Sequence, residues 1–136
     1  MIRGQDGKAI GNLILDECAE RGIVVTNLSL QKLLYFTHAE FLTATERPLI
    51  RHNFEAWEYG PVLPYVYREF KSFGADPIVS RAQTLDRFSG EMVLSRHSLS
   101  ADDLDVCRSA IHFYRAMSAS QLVELRQMTV GPRAKA

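Results

Sequence analysis

His38, Glu55 and Glu58 are the residues whose types could do acid–base chemistry: an imidazole that titrates near neutrality, and two carboxylates that bracket Trp57, the single tryptophan of the chain. Their setting argues against a shared site. A histidine inside an apolar helical run is ordinarily a hydrogen-bonded structural residue, and residues three apart on a strand point to opposite faces, so the two glutamates do not readily grip one substrate. Cys18 and Cys107 lie far apart, each in a helix-like pattern, and read as small buried hydrophobes rather than a disulfide. His38, His52, His97 and His112 show neither an HxxxH spacing nor a CxxC companion, so no metal site is expected. There is no GxSxG elbow, HExxH motif, phosphate-cradling loop or dinucleotide fingerprint. The sequence therefore predicts no catalytic residue, no cofactor and no enzyme. A small hydrolase or nucleic-acid module built on His38 with Glu55 or Glu58 is the least favoured function.

The stretch "NFEAWEYGPVLPYVYREFK", Asn53 to Lys71, is the other candidate, with the tryptophan and three of the five tyrosines. Trp and Tyr combine large apolar area with a hydrogen-bonding tip, which suits both architecture and recognition. If Tyr59, Tyr65 and Tyr67 reach the surface beside Arg68, they have the composition of a protein-binding hot spot. Both uses stay open here; the reading leans toward core for Trp57 and toward interface for Tyr65.

The elements that must position these residues follow from periodicity and caps. Ala9, Ile10, Leu13, Ile14 and Cys18 mark a helix from Lys8 to Arg21, closed by Gly22. Thr26 or Asn27 caps a second helix through "LSLQKLLYFTHAEFLTAT", with Pro48 at its exit. Leu30, Leu33, Leu34, Thr37 and Phe41 form one face of it, widened by Tyr35, Phe36, Ala39 and Leu42, so it is expected to be central. "NFEAWEYG" alternates like a short strand that stops at Gly60-Pro61. Pro64 opens a third helix with Val66, Phe70 and Phe73 inward, ended by Gly74, leaving Arg68, Glu69 and Lys71 toward water. "TLDRFSGEMVLS" predicts a hairpin about Ser89-Gly90. Ser100 to Asp103 starts a fourth helix, with Leu104, Cys107, Ile111 and Tyr114 on its core side to about Met117. Ser118 and Gln121 cap a short last helix to Gln127, and the small, basic tail from about residue 129 is expected to be loosely ordered.

The fold class that results is α+β, predominantly α: about five helices around a central apolar helix, with a small antiparallel β element, in one domain spanning 1–136. Hydrophobic residues make up 46% and charged ones 24%, an ordinary globular balance. Sixteen basic and sixteen acidic side chains leave no net field to hold nucleic acid or an anionic membrane. No apolar run approaches the roughly 20 residues of a membrane span, and "MIRGQDGK" lacks a signal-peptide core, so a cytoplasmic location is expected.

Two blocks, "TNLSLQKLLYFTHAEFL" and "RPLIRHNFEAWEYGPVLPYVYREFKSFG", resemble in their order and separation the SocA-like antitoxin family, also called the Panacea domain. The resemblance runs from about Ala9 to Ala136. It implies a mostly helical domain that protects against a toxic protein encoded beside it, by direct protein contact or as an adaptor delivering the toxin to a Clp-type protease. Under that reading the partner-binding residues are Tyr59, Pro61, Tyr65, Tyr67 and Arg68, at the YGPVxP turn and the following helix, with the basic tail as a further contact for the protease. The family commonly carries a Thr-His pair and later a Gly-x-Pro-Trp-like segment; this chain has Arg126-Gln127 and Gly131-Pro132-Arg133 there.

Overall fold

The structure, a computed structural model, describes residues 4–115. The expected last helix and basic tail lie outside the described residues. Within them the fold is α+β, about half helical, with four α-helices and two separate two-stranded antiparallel sheets.

Helix α1 spans Gly7–Glu20. Its cap was not foreseen: Asp6 accepts the Lys8 amide at 2.9 Å, satisfying one of the free N–H groups of the first turn. At the other end the Gly22 amide donates to Ala19 O and Ile23 to Cys18 O, the paired bonds of a Schellman motif, with Gly22 at φ 69°. Helix α2 spans Asn27–Thr45. Thr26 rather than Asn27 is its cap: Thr26 Oγ1 accepts from the Ser29 amide and Ser29 Oγ from the Thr26 amide, at 3.2 and 2.9 Å. The helix leaves through Glu46 in the left-handed region, two residues before Pro48.

Strands β1 (Glu55–Trp57) and β2 (Gly60–Val62) pair as a hairpin in which Trp57 faces Gly60 and Ala56 faces Pro61. This corrects the expected strand stop at Gly60-Pro61: those residues begin the return strand, and the reversal is at Glu58-Tyr59. Gly60, at φ 115°, permits it. Pro61 is compatible with strand β2 because its sheet has an edge on either side. Helix α3 is short, Pro64–Glu69 with Pro64 in its first turn, followed by a 3-10 turn at Lys71–Phe73 and Gly74 at φ 61°. Glu69, expected in water, is half-buried and pairs with Lys8 at 3.2 Å.

Strands β3 (Gln83–Leu85) and β4 (Met92–Leu94) form the second hairpin. Asp86 organises its turn by accepting from the Phe88 amide and Ser89 Oγ, and Gly90 supplies the positive φ. Helix α4 spans Ala101–Tyr114, capped by Ser100. Asp102 and Asp103 sit in its first turn as expected, and Asp103 also takes a two-pronged bond from Arg47 at 2.7 and 2.9 Å.

The core gathers Ile10, Ile14 and Cys18 of α1, Leu30, Leu34 and Phe41 of α2, Val66 of α3, Phe70 just beyond it, and Cys107 and Ile111 of α4. Helix α2 touches α1, α4 and β2. Its apolar girdle is narrower than its composition suggests, because Leu42 is exposed and Tyr35 and Ala39 are half-buried.

Candidate functional site

A chain of buried amides on α2 holds the Gly60–Glu69 segment. Gln31, fully buried, accepts the Leu63 amide on Oε1 at 2.8 Å and donates from Nε2 to Asn27 Oδ1 at 3.1 Å. Asn27 in turn donates to Tyr67 O at 2.9 Å. Two side chains four residues apart on one helix thus grip both the entry of α3 and its last turn. The clamp satisfies polar groups that burial would otherwise leave costly.

On this support β1 lies on the surface, all three of its residues exposed. Trp57, expected to lean toward the core, is 41% exposed. Its ring rests edge-on against Tyr67 at 5.2 Å and its indole N–H donates to Glu55 at 3.0 Å. The physical reason is the hairpin: its inner strand, β2, is packed against α2, and the outer strand has no further element over it among the described residues. Tyr59, at the reversal, is 65% exposed; Arg68 is exposed and Pro61 half-buried. The result is an aromatic ledge of Trp57, Tyr59 and Tyr67, with Arg68 following Tyr67 on α3.

Tyr65 points elsewhere, because residues two apart on a helix diverge by about 200°. It is half-buried, its ring 4.0 Å from His52 and 4.8 Å from Lys8 Nζ, and its hydroxyl donates to Asp6 at 3.4 Å. Burial first, and then the Asp6 carboxylate, push the phenol up to about 12. Asp6 thereby caps α1 and joins α3 to it.

No hydrogen bond or ion pair joins the residues of the acid–base reading to one another. His38 Nδ1 accepts the Ile50 amide at 3.2 Å, and burial lowers its pKa, so the ring is a neutral structural acceptor. Glu55 is bonded to Trp57, and Glu58 lies exposed in the turn. Both cysteines are buried, and burial pushes Cys18 to about 11 and Cys107 to about 12, well away from a reactive thiolate. Among the described residues no group of His, Cys, Asp and Glu is placed to hold a metal ion.

Residues 30–128 match the family described as "Antitoxin SocA-like, Panacea domain". The chain belongs to this antitoxin family. It is also 41% identical over 127 residues to antitoxin SocA of Caulobacter vibrioides (strain NA1000 / CB15N), covering 93% of this chain and 68% of that protein. No solved structure matches it. No helix among the described residues is long and apolar enough to cross a membrane.

The family block "LQKLLYF" therefore contains the Gln31 clamp, and the block "EAWEYGPVLPYVYREF" contains what it grips. The sequence reading missed the clamp: it offered Asn27 only as a helix cap and gave Gln31 no role. The available signal was a pair of amide side chains four apart on an otherwise apolar helix, the spacing at which they share a face.

Proposed function

We propose that this chain is an antitoxin that neutralises a protein toxin encoded beside it by direct contact, through a surface comprising Tyr59, Pro61, Tyr65, Tyr67 and Arg68 with Trp57 added. The observation that carries the reading is the aromatic ledge: in a chain of an antitoxin family, Trp57 and Tyr59 are exposed on a hairpin and the half-buried Tyr67 backs Trp57 from a helix anchored by Gln31 and Asn27. Exposed aromatics on a rigid support lose little entropy when covered, which is why such side chains dominate binding energy. Tyr65, half-buried beside Asp6, would contribute from the flank of the same helix.

Co-expression with the neighbouring gene tests this. The chain should restore growth and co-purify with the product of that gene, and Tyr59→Ala combined with Trp57→Ala should abolish both while leaving the fold intact. Full protection by the double variant would move the interface elsewhere; no protection by the wild type would end the antitoxin reading. Nothing among the described residues favours delivery to a Clp-type protease, and the basic tail expected to serve it lies outside them.

A further inference from the structure

The β3–β4 hairpin departs from the usual pattern of a sheet packed on one side, where apolar residues face in and polar residues face out, by leaving Leu85, Met92 and Leu94 exposed. Directly opposed residues share a face, so the register places Gln83, Leu85, Met92 and Leu94 together on one side and Thr84 with Val93 on the other. The other side carries Thr84 and Ser95, hydroxyl to hydroxyl, above Asp6, together with Val93, 42% exposed. The outward side carries Leu85, Met92 and Leu94, 58%, 54% and 45% exposed, beside the exposed Gln83, and Phe88 at the turn is fully exposed. A free phenylalanine presents on the order of 200 Å². Leu85, Met92 and Leu94 share one face of the hairpin, so their exposed apolar area is grouped rather than scattered.

The two edges of this hairpin are treated differently. Ladder bonds at Ser95 to Ala82 and at Asp86 to Glu91 fix the alternation, so the backbone groups of Gln83, Leu85, Met92 and Leu94 point away from the partner strand. On the β3 edge the Gln83 groups are closed, its amide donating to Glu69 at 3.2 Å and its carbonyl accepting Lys8 Nζ at 3.2 Å, while those of Leu85 meet no partner among the described residues. On the β4 edge, the N–H and C=O groups of Met92 and Leu94 meet no partner among the described residues. At its base the hairpin is held rigid by Asn12, whose amide is inserted between the strands, accepting from Ala82 N at 2.8 Å and donating to Ser95 O at 3.0 Å.

We infer that β4 is a second docking edge, along which an extended segment of the protein partner adds as a third strand, with apolar residues over Met92 and Leu94 and an acidic residue meeting Arg96. This rests on the antitoxin reading, and it deepens it by stating what the toxin contributes. The charge pattern selects a foreign strand over a second copy of this chain. By alternation Arg96 shares the outward face of Leu94, is exposed, and has no ion-pair partner among the described residues. Two copies of β4 related by a two-fold axis bring only residues of one parity together on that face: Gly90, Met92, Leu94 and Arg96. None is a carboxylate, so self-pairing leaves Arg96 unmatched, while a partner strand bearing Asp or Glu completes it.

The test is backbone amide exchange, followed by NMR, on the chain alone and in complex with the product of the neighbouring gene. The inference expects the Met92 and Leu94 amides to slow by about tenfold or more on binding, while the outward Gln83 amide, already bonded, changes little. Arg96→Glu, with an unchanged melting temperature, should weaken the complex about tenfold or more. A complex in which Met92 and Leu94 exchange as freely as before overturns the docking edge alone. Strong pairing of β4 with itself, seen as a dimer that the toxin leaves intact, overturns it in favour of a second copy. Absence of any complex removes the antitoxin reading and the edge with it.

Discussion

Gln31 Oε1 accepts the backbone amide of Leu63 at 2.8 Å, across 32 residues of sequence, and Leu63 is the residue that leads into Pro64 and α3. A buried side-chain amide on α2 thus holds the start of the helix that carries Tyr65, Tyr67 and Arg68, residues of the proposed docking surface.

Gln31→Leu removes this acceptor and leaves the Leu63 N–H and Asn27 Oδ1 buried without it. Chemical denaturation should show a loss of about 1–3 kcal/mol. Toxin binding should weaken as well, although Gln31 is fully buried and touches no partner. Unchanged stability would mean that the Leu63 amide finds another acceptor.

Leu34→Ala empties a fully buried position of α2. It should cost about 2–5 kcal/mol as a core truncation. Tyr59→Ala, at a side chain 65% exposed, should stay within about 0.5 kcal/mol of wild type in the same experiment and act on binding instead.

Tyr65 joins both categories. Because its ring stacks on His52 and its hydroxyl reaches Asp6, Tyr65→Ala should lower stability as well as binding, whereas Tyr65→Phe should keep most of the stability. Paired denaturation and pull-down measurements separate the two effects. A Tyr65→Ala protein as stable as wild type would show that these contacts contribute nothing net.

Glu17 predicts an acid limb to stability. Burial raises its pKa, but hydrogen bonds from His112 and Arg108, both at 3.0 Å, overcome burial and leave the folded value below the ordinary 4.5. A depressed acid binds protons more readily in the unfolded chain, so this contribution is present above pH 4.5 and is lost as pH falls through the folded value. Thermal melts across that range should fall more steeply for wild type than for Glu17→Gln.

His38 predicts a second limb at higher pH. Burial depresses its folded pKa below the ordinary 6.5, so the unfolded chain takes up the proton first. The contribution is whole above 6.5 and declines as pH falls toward the folded value. His38→Gln should flatten that part of the curve. His52 and His97, also lowered chiefly by burial, add to the same limb, so flattening should be partial.

Short-range chemistry was legible in the residues themselves. The Gly22 stop, the Thr26 start, Pro64 at the first turn of α3, the reversal through Ser89-Gly90 and the Ser100 cap all follow from interactions within about four residues, where the chain alone fixes geometry. The antitoxin family was legible too, because its two blocks are contiguous in sequence.

Tertiary packing decided what lay beyond that range. Whether Trp57 faced in or out depended on which strand of its hairpin met α2, and alternation alone assigns sides without saying which side is buried. The grip of Gln31 on Leu63, of Asn12 on Ala82 and Ser95, and of Asp6 on Tyr65 joins residues 32 to 83 positions apart. A polar side chain carries no mark of its distant partner; only the folded chain brings a donor to it, and burial then makes that pairing costly to lose.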